Sequence, residues 1–437
     1  MSDTSWAGAA VAGVTAAYAL VSRRLAPTPL TAAIVFVGCG IALGPVGLGV
    51  IELEHEGGGL LALLEAALTL VLFTDAMSVR MRDMRSGGFL PGRLLGIGLL
   101  LSIGLGWLLA WPLLPGLTVW ELALVGAVLA PTDAALGKSA ISDTRVPALV
   151  RQGLNVDGGL NDGMVLPFFV LFLAAVPGTS YAEEGVAGTF WRALVLSTAL
   201  GLGIGWVGGR VLQRSRARQW VTSEWRQVFA LAVAVAAYAL AVVTHGSGFI
   251  AAWVAGFAFG RALRSGGPAE PVSGADRTGE FTENLGNLLA MVGLLIFGAV
   301  VLGPALEHLS WRIVLYAVLS LTVVRMVPVA IALLGSGLRL PTVAYIGWFG
   351  PRGLASVVLG LLVVEEHVAG VDLIARVVGV TVGLSVLLHG VSAVPLAGRY
   401  GRWYRQLAAR VSDLRESTPT PDAITRRRLV PTAPPEP

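Results

Sequence analysis

The sequence predicts an all-α polytopic membrane protein of about thirteen transmembrane helices, two of them broken near mid-membrane. Three observations predict it. Hydrophobic residues make up 55% of the 437 and charged residues only 13%, against roughly 25% charged in an average soluble domain. The apolar residues fall in runs long enough to cross a hydrocarbon core of about 30 Å. Lys and Arg sort to alternate loops, as the positive-inside rule requires. The net charge of +4 and the pI near 9.6 do not indicate a nucleic-acid partner, because the basic residues lie in short loops between apolar runs. The single cysteine, Cys39, lies inside such a run and excludes an intrachain disulfide.

Taken in order, the spans fall at residues 5–21, 30–50, 58–79, 92–113, 118–138, 147–176, 190–212, 226–243, 246–264, 281–302, 309–333, 344–365 and 373–397. No basic n-region or convincing cleavage site precedes the first, which is therefore expected to be retained. The third carries Glu65 and Asp75. The fifth is interrupted in Leu129-Ala130-Pro131-Thr132-Asp133, where Pro131 removes a backbone donor. The sixth carries Asp157, Asn161 and Asp162. Glycines four apart, Gly201, Gly205 and Gly209 in the seventh and Gly256 and Gly260 in the ninth, allow close helix packing. The eighth and ninth are separated only by Thr244 and His245 before Gly246-Ser247-Gly248. The eleventh contains Arg325, the twelfth is broken at Gly350-Pro351-Arg352-Gly353, and the thirteenth contains His389.

The division is a transmembrane domain over residues 1–398 and a cytoplasmic tail over 399–437. The tail is read as disordered because it is basic and Pro-rich, with Arg426-Arg427-Arg428. That basic cluster is either a solvated positive-inside anchor or a contact for anionic lipid. No long soluble domain follows the last span in this sequence, so a large nucleotide-sensing module is not expected.

Orientation follows from the charges. One set of loops and the tail hold Arg23, Arg24, Arg80, Arg82, Arg85, Arg93, Lys138, Arg145, Arg151, Arg210, Arg214, Arg216, Arg218, Arg226, Arg261, Arg264, Arg277 and Arg339. The other set has only Arg192, Arg312 and Arg376, with Glu52, Glu54, Glu56, Glu183, Glu184, Glu365 and Glu366. Removing one span would scramble this sorting. The expectation is N-terminus outside and C-terminus cytoplasmic, in the cell membrane.

Charge at membrane depth demands a reason, since an aspartate at a helix centre costs at least about 2.5 kcal/mol. The chain places Glu65, Asp75, Asp133, Asp157, Asp162, Arg325 and Arg352 there. Around Asp133 the break frees backbone carbonyls and half-helix ends for an ion; the other role open to this residue is a helix cap. On the sixth span Asp157 and Asn161 share a face at i,i+4, with Asp162 about 100° further round. Asn161 and Asp162 can thus face a cavity while Asp157 faces a neighbour. Arg325 is the natural partner for Asp157, and such a pair would be structural. Arg352 repeats the Pro131 break with opposite charge; as a plain alternative it snorkels from a helix end. The two broken spans are seven apart, an odd number, so they run in opposite directions, as in an inverted repeat. His389 is read as a hydrogen-bonded packing residue. The five histidines, 55, 245, 308, 367 and 389, show no ligand spacing. Gly201-Leu202-Gly203 follows no strand and marks no nucleotide site.

In these motifs the chain resembles the monovalent cation:proton antiporters of the NhaP/NHE type, the CPA1 branch. The resemblance runs from Gly44-Pro45 through Leu72-Phe73-Thr74-Asp75, Pro131-Thr132-Asp133, Asn161-Asp162-Gly163, Gly246-Ser247-Gly248-Phe249 and Gly350-Pro351-Arg352-Gly353 to Leu388-His389-Gly390. It implies a mobile core domain, a dimerisation domain, crossed unwound helices in spans 5 and 12, and a homodimer. It carries Thr132, Asp133, Asn161 and Asp162 over as ion- and proton-binding residues, with Na+ or another monovalent cation at Thr132, Asp133 and Asp162, and Arg352 as the charge near the crossing. The Asn-Asp form is similar to the electroneutral branch. Two departures stand out. The family's Glu-Ser-Leu-Leu before Asn-Asp is Asp157-Gly158-Gly159-Leu160 here, without the serine. Its Leu-Phe-Glu is Phe73-Thr74-Asp75, so Asp75, with Thr74, is an additional candidate whose acid is displaced by one position.

The expected function is a secondary active transporter, not an enzyme, that exchanges Na+, or Li+ or K+, for H+ without a bound cofactor. A carboxylate in a partly desolvated cavity holds its proton more tightly than one in water, so proton and cation compete for the same oxygens. If the core crosses only when Asp162 is neutralised by either, obligatory exchange follows. Neutral Asn161 leaves one titrating group, hence one cation per proton. A K+/H+ antiporter is the near alternative. A passive cation channel would show conductance far above carrier turnover, and an intramembrane aspartyl protease would show peptidase activity, although Asp133 and Asp162 lack a Gly-x-Gly-Asp context.

Overall fold

The computed structural model describes residues 2–25, 28–51, 58–79, 89–133, 136–182, 185–265, 278–366, 368–411 and 413–418. Among these residues the protein is helical without a strand. Its fourteen main helices are α1 (Ser2–Leu25), α2 (Ala32–Leu43), α3 (Gly58–Ser78), α4 (Phe89–Leu113), α5 (Val119–Val128), α6 (Ala148–Ala175), α7 (Val186–Ala217), α8 (Ser223–Val243), α9 (Gly248–Arg264), α10 (Glu280–Glu307), α11 (Trp311–Ala332), α12 (Leu340–Trp348), α13 (Leu354–Glu365) and α14 (Val371–Ala408). Every expected span contains one of them, and the twelfth contains two. Eight, α3, α4, α6, α7, α8, α10, α11 and α14, are long and apolar enough to cross a membrane by length and composition; α2, α5 and α13 are shorter apolar helices.

The starts of these helices are written locally. Thr31, Thr222, Ser247 and Ser310 cap α2, α8, α9 and α11 through their hydroxyls. At α5 the cap is reciprocal: Thr118 Oγ accepts from the Glu121 amide at 3.3 Å and the Glu121 carboxylate accepts from the Thr118 amide at 2.7 Å. The other oxygen of buried Glu121 accepts from the Gly370 amide at 2.7 Å, tying the start of α5 to the start of α14.

Two bundles result. α1–α3 pack with α7–α10, and α4–α6 pack with α11–α14; we call these the scaffold and the core bundle. The glycine spacing serves the scaffold: Gly201 and Gly205 of α7 lie against the backbone of Ala251 and Ala255 in α9, and Gly256 and Gly260 of α9 against that of Phe73 and Met77 in α3. A side chain at any of these positions would force the helices apart. Where α6 meets α3 and α9, the seam between the bundles sets α3, which carries Asp75, against α6, which carries Asp157 and Asp162.

The end of the chain departs from the expected boundary at residue 398. α14 continues to Ala408, and residues 413–418 fold back onto the core bundle. Buried Glu416 accepts hydrogen bonds from the Arg339 amide (2.9 Å) and the Thr342 hydroxyl (2.8 Å) at the start of α12, and the Arg415 guanidinium lies 4.7 Å from the Phe89 ring centre. A carboxylate at a helix N-terminus is favourable, and the Tyr404 and Ser417 hydroxyls, 2.9 Å apart, add a further contact. The tail from residue 419, with Arg426-Arg427-Arg428, lies outside the described residues, as do Glu52, Glu54, Glu56, Arg80, Arg82, Arg85, Glu183, Glu184, Arg277 and His367.

Candidate functional site

Two helices stop in the middle of the core bundle and cross. α5 ends at Val128 and the chain runs non-helically through residues 129–133; α12 ends at Trp348 and α13 resumes at Leu354. The two breaks pair directly, the Asp133 amide donating to the Pro351 carbonyl at 2.7 Å. Each half-helix end leaves orphan backbone groups that lipid cannot satisfy. The sequence supplies a partner for each.

Arg352, fully buried, donates from one guanidinium nitrogen to the Ala130 carbonyl (2.7 Å) and the Pro131 carbonyl (3.0 Å) just beyond the end of α5. The Ser356 hydroxyl donates to the Val128 carbonyl at 2.7 Å. Conversely the Asp133 carboxylate accepts from the Leu354 amide at 3.2 Å, the first residue of α13, and from the Leu136 amide at 3.3 Å. A side chain at Gly353 would collide with that carboxylate, so the glycine admits it. Positive charge thus meets a helix C-terminus and negative charge a helix N-terminus, each in its favourable place. Arg352 is therefore no snorkelling residue, and Asp133 takes the capping role.

α14 holds the crossing from behind. The Arg352 amide donates to Ser385 Oγ at 2.7 Å, and His389 spans from Ser385 to the Trp348 carbonyl, which its Nε2 contacts at 2.9 Å at the end of α12. His389 is a hydrogen-bonded packing residue, as its place in an apolar span predicts.

α6 presents the remaining residues. Asn161 Nδ2 donates to Thr132 Oγ at 2.5 Å and Asn161 Oδ1 accepts from the Thr132 amide at 3.2 Å. Asn161 thereby clamps α6 to the break after α5. Asp162, next in sequence and 6% exposed, differs: its Oδ1 is buried and has no hydrogen-bond partner. Asp157 turns the other way and meets Arg325 at 2.5 Å, with both side chains at most 3% exposed. The pairing expected from the sequence forms, and Arg325 also lies against the backbone at Gly350.

Of the additional candidates, Thr74 turns its hydroxyl back to the Leu70 and Val71 carbonyls of α3 and is satisfied there. Asp75, half-buried, packs against Gly159 of α6, three residues before Asp162. The displaced acid of the third span therefore does face the Asn161-Asp162 helix, in space made by a glycine where the family pattern has leucine.

The sequence reading passed over Ser356, Ser385 and Trp253. The serines carry a weak signal, a hydroxyl within a few residues of a break or of His389. Trp253 carries none, being one more apolar residue in the ninth span; its indole lies over Gly163, the residue after Asp162.

A family model described as sodium/hydrogen exchanger, transmembrane, matches residues 10–398. The K+/H+ antiporter NhaP of Alkalimonas amylolytica is 24% identical over 419 residues, covering 94% of this chain and 68% of that protein. The Na+/H+ antiporter 2 of Zygosaccharomyces rouxii is 27% identical over 165 residues, 35% of this chain and 20% of that protein. The chain therefore matches about two thirds of the length of the first and about a fifth of the second. Among solved structures, the sodium proton antiporter MjNhaP1 from Methanocaldococcus jannaschii at pH 8 superposes with a TM-score of 0.71 at 18% identity, over 92% of this chain and 99% of that one. The fold is shared.

Proposed function

The chain belongs to the transmembrane sodium/hydrogen exchanger family, and from that premise we propose that it exchanges Na+ for H+ by alternating access, with proton and cation competing for Asp162. The observation that carries this reading is the orphan Oδ1 of Asp162. A buried acceptor left without a donor costs about 1–3 kcal/mol, more when charged, and a proton or a cation removes that cost equally well. Asn161, the neighbour of Asp162 on α6, holds Thr132 at the break after α5, and Asp75 packs against Gly159, three residues before Asp162. Asn161 and Thr132 occupy each other, and the change of charge is assigned to Asp162.

Alternating access then has a physical basis. An ionised, empty Asp162 resists passage across the apolar seam, whereas the neutralised carboxylate moves with the core bundle past the scaffold. The crossing stays intact during this movement because Arg352 and Asp133 satisfy its ends within the core. Thirteen membrane crossings, an outside N-terminus, a cytoplasmic C-terminus and a homodimer in the cell membrane complete the reading.

The test is cation-driven pH change in proteoliposomes. Asp162→Asn and Asp162→Ala are expected to abolish it, at least about a hundredfold if a transition-state loss of some 2.7 kcal/mol applies. Full activity in either variant sinks the assignment. A K+/H+ exchange is the second reading, favoured by the relative from Alkalimonas amylolytica. Hard oxygen ligands suit several monovalent cations, so the same assay run with Na+, Li+ and K+ over a pH series decides between the two.

A further inference from the structure

Two buried polar atoms without a hydrogen-bond partner lie on two helices, α6 and α9, that meet at the seam between scaffold and core. One is Asp162 Oδ1, an acceptor. The other is the indole nitrogen of Trp253 on α9, a donor that is buried with no hydrogen-bond partner. The indole lies so close over Gly163 that a side chain there would collide with its Nε1, Cδ1 and Cδ2 atoms. Gly163 directly follows Asp162, so the third residue of the Asn161-Asp162-Gly163 motif is the one that admits the ring. Around it are Val79, Leu95, Val156, Leu160, Met164 and Phe257, all apolar. None of these side chains offers the N–H a nitrogen or oxygen acceptor, although a buried tryptophan N–H ordinarily has a partner.

We propose that the Trp253 indole N–H is the hydrogen-bond donor to the empty, ionised carboxylate of Asp162, latching the core bundle to the scaffold until a proton or a cation releases it. The inference rests on Asp162 being the exchanging group. It adds the element that couples that group to movement. Trp253 belongs to the scaffold and Asp162 to the core, so a bond between them joins the two bodies that must slide. A hydrogen bond to an ionised acceptor is roughly twice as strong as one to a neutral group. The latch is therefore strongest in the one state whose passage would uncouple exchange, the unloaded anion. Cation binding takes the oxygen that the N–H would use, and protonation removes its charge; both release the donor. Trp253 acts through Asp162 and is a positioning residue.

Trp253→Phe keeps an aromatic ring and removes the donor. Its apparent KM for the cation is expected to fall about fivefold, the factor that a lost competing bond of about 1 kcal/mol gives. Coupling should loosen as well, with cation leaving the vesicles without counter-moving protons and responding to an imposed membrane potential. Trp253→His returns a ring N–H and should move both readouts back toward wild type. A Trp253→Phe protein with unchanged KM and tight coupling overturns the proposal. So does Trp253→His that behaves like Trp253→Phe, which would place the effect in ring shape. If neither variant folds, spectra of wild-type protein carrying nitrogen-15-labelled tryptophan serve instead: an indole N–H signal should shift on adding Na+, and not in Asp162→Asn, and no such signal overturns the latch. Wild type and Asp162→Asn run alongside keep the readings apart, because loss of exchange in wild type or its survival in Asp162→Asn refutes the role of Asp162 itself.

Discussion

At the scale of single residues, what matters is which buried polar atoms have partners. The Asp157–Arg325 pair is fully enclosed, so each charge exists there only because of the other. Asp157→Asn leaves a buried guanidinium unpaired, a change that costs about 3–5 kcal/mol, and a clearly lower melting temperature in detergent is expected. Adding Arg325→Gln removes the stranded charge and should recover much of the loss. A single variant that melts with the wild type would show that water reaches the guanidinium. Asp162 differs, with one buried oxygen left without a hydrogen-bond partner, and on the proposed reading it is the one of these two aspartates that changes charge. The sequence anticipated the difference from helical spacing and from the one cation able to pair. It did not reveal that Thr74 would satisfy itself along α3 while Asp75 faced α6, because a one-residue step around a helix changes the neighbour and only packing says which.

Among elements, the decisive feature is the crossing of the breaks after α5 and α12. Asp133 accepts from two amides there. Asp133→Ala removes both acceptors, and loss of a cap costs about 0.5–2 kcal/mol; Asp133→Asn keeps an acceptor oxygen. The expected order of melting temperature is wild type close to Asp133→Asn, then Asp133→Ala, with exchange surviving in Asp133→Asn. If both variants lose exchange while melting normally, the carboxylate belongs to the ion instead. Proline and glycine announced these breaks in sequence, since they remove donors and crowding at known positions. The fold-back of residues 413–418 had no such signal. Glu416 is one acid among polar residues until the start of α12 is placed beneath it.

For the whole molecule, two bundles meet along a seam at which Asp162 Oδ1 is buried without a hydrogen-bond partner, and Asn161 beside it is neutral and engaged with Thr132. On the proposed reading, in which Asp162 alone changes charge, one charge moves in as one moves out. Exchange rates should be insensitive to a membrane potential imposed with a K+ or H+ ionophore; rates that scale with potential would require a second titrating group at the crossing. By itself, the sequence determined the all-helical membrane class, the positions of the helices and breaks, and the residues whose charge lies at membrane depth. Those properties follow from hydrophobic period, backbone chemistry and the cost of buried charge, all local to a segment. Only the tertiary structure decided which charges pair, that Asp133 and Arg352 serve each other's half-helix, and that Trp253 faces the Asp162 helix. Each of those facts joins residues dozens to hundreds of positions apart, and contact across that distance is set by how whole helices pack.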